Sequence, residues 1–243
     1  MSNLYLAINE IVNNEPLSKN KVIEMSFYIR QTFERYTMVI NDGYQEAEAF
    51  FGIEDDPTTT KVFDPSNEEH LHYADTHLGK NLQLIFEFLK LTIDEKSFVK
   101  QHFSDGAYSG GMNDFLYETL PPCLLLRNLI LAGVMETYFD SNPLVNLLIH
   151  FFAKLKLIYG SLEDSDCPKL DLLLDHLSEM NIDDKMFSFR ELTLLSGYKT
   201  ERAVRNLASK STPKHKQIKV IKNGNKTFIE HKEITRWLQS NKK

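Results

Sequence analysis

Between Phe187 and Leu238 the chain carries a run of local signals that leaves few folds open. Ser188 is followed three residues on by Glu191, the spacing of a capping box, in which each side chain satisfies a backbone N–H at a helix start. Phe187 and Leu192 fall at the hydrophobic-staple positions of the same start. The predicted helix runs to about Ser196 and buries Phe189, Leu192 and Leu195. Gly197 stands where a left-handed C-cap favours a residue without Cβ. Thr200 is then placed to cap a second helix through about Ser209. The corner between them has the length of a helix-turn-helix corner.

At about 100° per residue, the second helix separates into two faces. Ala203, Val204, Leu207 and Ala208 gather on one side; Glu201, Arg202, Arg205, Asn206 and Ser209 gather on the other. Arginine and asparagine carry the forked donors and acceptors that suit guanine and adenine edges in the major groove. Arg202, Arg205, Asn206 and Ser209 are therefore the expected base-reading residues, with Lys199 and Thr200 at the helix entry expected to meet the backbone. A basic connector follows, Lys210 to Gln217, in which Pro213 blocks helix. Asn223-Gly224 between two β-branched runs predicts a hairpin over Ile218–Ile229. Lys210, Lys214, Lys216, Lys222, Asn223 and Lys226 are the expected connector and wing contacts to phosphates. Ile234, Trp237 and Leu238 recur at helical spacing and predict a closing helix, with Trp237 as the anchor of a small core.

Charge agrees with this reading only when the chain is divided. From Met186 onward there are fourteen Lys and Arg against four Glu, a net of +10. The preceding 185 residues hold the other fourteen bases against thirty acids, a net of −16, so the overall −6 hides the contrast. A basic end on an acidic body is the electrostatic footprint of a nucleic-acid-binding end.

The order of capped helix, Gly turn, Thr-Glu-Arg-Ala-Val-Arg-Asn helix, NG hairpin and Ile-Thr-Arg-Trp-Leu resembles the winged helix-turn-helix of the excisionase and MerR-like superfamily. The resemblance covers about the last quarter of the chain. It implies a second helix that enters the major groove and a wing that touches the backbone or minor groove. The connector, longer and more basic than a minimal version, is where this chain departs from the pattern.

The first 185 residues read as all helical. Amphipathic or apolar helical patterns are expected over Asn3–Asn13, from about Ser18 to Phe51, from a Ser66/Glu69 capping box to Thr92, over Glu95–Phe103 behind Asp94, and over Leu170–Met180. Pro121–Phe139 and Pro143–Tyr159 are nearly apolar all round and predict a buried antiparallel pair, each with proline at N1. Asp183-Asp184 reads as a hinge.

Chemistry finds little footing in this body. The glycine-rich Asp105–Asp114 lacks both a preceding strand and a phosphate-binding fingerprint, and reads as a connector. His70, His72 and His77 do not converge on one helix face, so no metal site is expected. His150, within an apolar helix, reads as a core histidine, and no nucleophile sits in a recognisable elbow. Cys123 and Cys167 lack CxxC spacing and read as reduced thiols. No signal peptide or bilayer-spanning run is evident.

The expectation is thus a mainly α protein, with an acidic helical bundle over 1–185 and a basic winged helix-turn-helix with a β-hairpin over 186–243. It is expected to be cytoplasmic, non-enzymatic and without cofactor. It is expected to read double-stranded DNA as a transcriptional or mobile-element regulator. The body is expected to form a homodimer or to receive a protein partner. The alternative is an interaction adaptor whose winged helix docks on an acidic protein.

Overall fold

A computed structural model of the protein describes residues 18–41, 62–103, 111–131, 142–162, 177 and 180–240. Within them the fold is mainly helical, with one two-stranded antiparallel hairpin near the C-terminus. Every described element before Met186 is a helix: α1 (Lys19–Asn41), α2 (Glu68–Ala74), α3 (His77–Lys90), α4 (Glu95–Phe103), α5 (Met112–Leu131) and α6 (Asn142–Tyr159). After it come α7 (Phe189–Ser196), α8 (Glu201–Leu207), β1 (Ile221–Asn223), β2 (Lys226–Phe228) and α9 (His231–Ser240). The patterns expected over Asn3–Asn13, most of Leu170–Met180 and most of the glycine-rich stretch lie outside the described residues. No described helix is long and apolar enough to cross a membrane.

The described residues divide into two compact units, one within 18–87 and 118–145, the other within 88–117 and 146–240. In the first unit, α1 buries Val22, Met25, Phe27 and Ile29, and Phe27 packs against Tyr28, Phe63 and His70. The helix start expected at Ser66 moves one residue on. Asn67 is the cap, accepting from Glu69 N at 2.9 Å, because Asp64 engages Ser66 through both its N–H and its hydroxyl. The single helical pattern expected from there to Thr92 is interrupted at Asp75 and Thr76, where the Thr76 hydroxyl accepts from Gly79 N at 3.0 Å and begins α3. Gly79 is needed for its close approach to a neighbouring segment. A Cβ there would stand 2.4 Å from the Ala74 carbonyl oxygen and 3.1 Å from Ser26 Cβ, so only glycine permits this approach.

α5 also departs from expectation. Pro121 and Pro122 lie inside the helix rather than at its N1 position. The helix already begins at Met112, and the two N–H groups lost would have bonded the Tyr117 and Glu118 carbonyls. Both those residues are exposed, so water can take up the freed acceptors. His70 and His77, which one continuous helix would place on a shared face, lie instead on two helices, α2 and α3: His70 Nδ1 accepts from Asp64 N, while His77 meets Glu118. No group of metal-ligating side chains assembles among the described residues.

In the second unit, Phe88, Phe103, Phe115 and Phe151 form an aromatic core with ring centroids 4.6 to 6.3 Å apart. Such tilted and edge-on arrangements suit the ring quadrupole. Lys154, buried within the apolar α6, donates to the Phe88, Leu89 and Leu91 carbonyls at 2.7, 3.3 and 2.6 Å and pairs with Glu95 at 3.1 Å. The end of a helix leaves its last carbonyls short of intrahelical donors, and this one ammonium serves two of them, Phe88 and Leu89, together with Leu91 just past the end of α3. Burial, opposed by the Glu95 carboxylate, lowers the Lys154 pKa from its ordinary value.

Burial, with the Lys154 charge second, pushes His150 down to about 4. Unfolding returns it to the ordinary value of about 6.5, so the unfolded chain binds a proton that the folded one refuses. The stability this contributes is full above about pH 6.5 and is lost as pH falls toward about 4. Urea unfolding should therefore show a loss of about 2 kcal/mol between about pH 7.5 and about pH 5 that His150→Gln abolishes. An equal loss in wild type and variant would contradict the assignment.

Candidate nucleic-acid interface

The C-terminal helix pair forms where its caps dictate. Ser188 accepts from Glu191 N while Glu191 Oε2 accepts from Ser188 N at 2.8 Å, so both halves of the capping box are present. Gly197 closes α7 in the left-handed region, with φ of 70°. Tyr198 and Lys199 make the corner, and the Thr200 side chain accepts from Ala203 N at 3.3 Å to open α8. A cap of this kind contributes about 1 kcal/mol.

α8 ends at Leu207, two residues short of the expected limit, and Ser209 is not part of it. The reason is a competing set of bonds. The Thr212 hydroxyl donates to the Asn206 carbonyl at 2.7 Å, Ile218 N to the Leu207 carbonyl at 3.0 Å, and the Gln217 amide to the Ser209 carbonyl at 3.0 Å. Ser209 turns its hydroxyl to Ser211 at 2.9 Å and belongs to the connector rather than to the exposed face of α8.

The connector is correspondingly well tied. Beyond those bonds, its Lys216 carbonyl accepts from Trp237 Nε1 at 3.0 Å and its Gln217 carbonyl from Arg236. Lys210, Lys214 and Lys216 thus project from a loop held at both ends. The hairpin pairs Ile221 with Phe228, Lys222 with Thr227, and Asn223 with Lys226. Its two central residues are therefore Gly224 and Asn225, not Asn223 and Gly224 as the sequence suggests. Gly224 has φ of 58° and Asn225 does not share the positive sign, the pattern of a turn with glycine first rather than of an Asn-Gly turn. Side chains alternate along a strand, so Lys222 and Lys226 lie on opposite faces of the hairpin. At the other end Phe187 and Ile229 exchange backbone bonds of 2.9 and 2.8 Å, joining the hairpin to the residue before α7's cap.

Phe187, Leu192, Val204, Ile218, Ile229, Ile234 and Trp237 form the core that these elements share, flanked by Leu157 of α6. On α8 only Val204 is fully buried, whereas Arg202, Arg205 and Asn206 are exposed on the opposite side. The two arginines differ. Arg205 donates to Glu201 at 2.5 Å and lies over the Phe189 ring, while Arg202 has no partner among the described residues.

The electrostatics of the segment follow from where its four acids go. Glu191 is buried against Lys156, Glu201 pairs with Arg205, Glu230 with Lys232, and Glu233 with Arg236. Arg236, with Lys219 N assisting, holds the Glu233 carboxyl below the usual range. Lys199, Arg202, Lys210, Lys214, Lys216, Lys222 and Lys226 are all exposed and make no ion pair with described residues. They occupy the corner, α8, the connector and the hairpin in succession, together with exposed Thr200, Asn206 and Asn223.

Sequence reasoning missed two side chains that seat this surface. Lys156 is 0 % exposed and its Nζ lies 2.7 Å from Glu191 Oε1. The approach is bent, so the contact is an ion pair more than an aligned hydrogen bond. The same ammonium donates to the Asp183 carbonyl at 2.7 Å and to that of Met186, and lies 4.6 Å above the Phe187 ring. Asn146, at the other end of this part of α6, accepts from Arg190 at 2.8 and 3.2 Å. Asp183 also accepts from Lys185 N and Met186 N, so the stretch read as a hinge is tied down. The available signal was a pair of lysines in an otherwise apolar helix, which demands buried acceptors elsewhere.

No protein-family model, curated protein or solved structure matches this chain.

Proposed function

We propose that the chain binds double-stranded DNA through a winged helix-turn-helix formed by α7, α8 and the hairpin, and acts as a transcriptional or mobile-element regulator. The observation that carries the reading is the disposition of charge: every acid after Met186 is engaged in an ion pair, while Lys199, Arg202, Lys210, Lys214, Lys216, Lys222 and Lys226, on neighbouring elements, make no ion pair with described residues. Such a surface gains affinity by releasing counterions from phosphates, and gains discrimination only from side chains that reach base edges.

Arg202 and Asn206 are the discriminating pair, one turn apart on the exposed face of α8. Arg205 joins them at little cost, since an exposed ion pair such as its bond to Glu201 is worth about 0–1 kcal/mol. Lys199, Lys210, Lys214, Lys216, Lys222 and Lys226 serve the backbone, with the two hairpin lysines directed to either side of a groove.

Selection of the full-length protein on a random duplex pool tests this directly, with an enriched motif as the expected result. Against that motif, Arg202→Ala should cost about 1–3 kcal/mol and relax preference at one position. Lys226→Ala should weaken binding about equally on all sequences and reduce the salt slope by about 1. Absence of enrichment, with capture of acidic proteins instead, would favour the adaptor reading.

A further inference from the structure

The contacts of Lys156 reach further than stability. Its ammonium is fully enclosed and meets three oxygens: the Glu191 carboxylate and the Asp183 and Met186 carbonyls. Glu191 is in turn the residue that closes the capping box on Ser188 and so begins α7. One carboxylate therefore serves two purposes, Oε2 holding the helix start and Oε1 facing the cation of α6. The Phe187 backbone, one residue before the cap, is bonded to Ile229 at the base of the hairpin. His231 meets the Leu157 carbonyl at 3.0 Å, beside Lys156 in the chain.

We propose that Lys156 is a positioning residue for the DNA-reading surface, holding the α7 cap, and through it α8 and the hairpin, in the arrangement that engages DNA. This rests on the DNA-binding reading for its functional half, whereas its structural half stands without it. Burying a carboxylate without its cation is far more costly than burying the pair, so loss of the ammonium should expel or protonate Glu191. Either outcome loosens the cap. Glutamine at 191 would still accept from the Ser188 N–H, since capping boxes use Glu or Gln alike. It would not require a cation.

The test compares full-length wild type, Lys156→Met, Glu191→Gln and the double variant, at temperatures where all are folded by circular dichroism. In Lys156→Met, amide exchange in α7, α8 and the hairpin should accelerate at least tenfold, with α1 unchanged. Duplex affinity should fall about tenfold or more at unchanged salt slope, because no phosphate contact is removed. Adding Glu191→Gln to Lys156→Met should restore most of the protection and the affinity. Additive losses in the double variant, or unaltered exchange in Lys156→Met, would overturn the proposal. Should Lys156→Met fail to fold, Glu191→Gln alone still decides: it should soften α7 exchange without altering the salt slope, and no change in exchange would contradict the role. Wild type that binds no duplex would defeat the DNA reading while leaving the exchange comparison to judge Lys156.

Discussion

Replacing Lys210, Lys214, Lys216, Lys222 and Lys226 together by glutamine is expected to weaken binding to a mixed-sequence duplex by about three orders of magnitude at about 0.15 M salt. Each phosphate neutralised contributes about 0.9 to the slope of log affinity against log salt, so the same variant should bind with a slope flatter by about 4. The expectation is specific because the side chains of these lysines make no ion pair with described residues. All five are exposed and unpaired among the described residues, so their loss should leave the fold's melting temperature within a few degrees of wild type. Filter binding or fluorescence anisotropy across a salt series measures both quantities. A variant that keeps wild-type affinity would remove the connector and hairpin from the interface.

Trp237→Ala should be the most damaging single substitution to the fold of this segment, at about 3–5 kcal/mol. Trp237 is 1 % exposed and belongs to a core of only seven fully buried residues. Its indole N–H also satisfies the Lys216 carbonyl, so truncation leaves that acceptor without its donor and frees one end of the connector. Urea unfolding followed by far-ultraviolet circular dichroism, with amide exchange to locate the loss in α7 to α9, checks this. A cost below about 1 kcal/mol would mean that the packing about Trp237 contributes little.

The C-terminal elements were legible because their determinants are local. Ser188, Glu191, Gly197 and Thr200 specify helix ends through bonds spanning three or four residues, and each is found in that role. The exposed face of α8 follows from helical periodicity alone. The hairpin's existence was legible but its register was not. Asn223-Gly224 and Gly224-Asn225 are both acceptable turn pairs, and the pairing of Ile221 with Phe228 decides between them. Ser209 was misplaced because its helix is ended by Thr212, Gln217 and Ile218, whose bonds arrive from beyond the helix. The least legible feature was the Lys156–Glu191 pair, since two residues 35 apart in the chain reveal themselves only once α6 and α7 are packed. Within the body, the start of α2 at Asn67 and the course of α5 through two prolines show the same limit: neighbouring signals compete, and packing selects among them.

The most direct measurement of the central claim is a titration of the full-length protein onto a labelled mixed-sequence duplex between about 50 and about 200 mM salt. With Lys199, Arg202, Lys210, Lys214, Lys216, Lys222 and Lys226 exposed and without ion pairs among the described residues, log affinity should fall linearly with log salt at a slope of about −4 to −6. Binding that is absent at the lowest salt, or present with a slope near zero, would contradict a phosphate-engaging role for this surface.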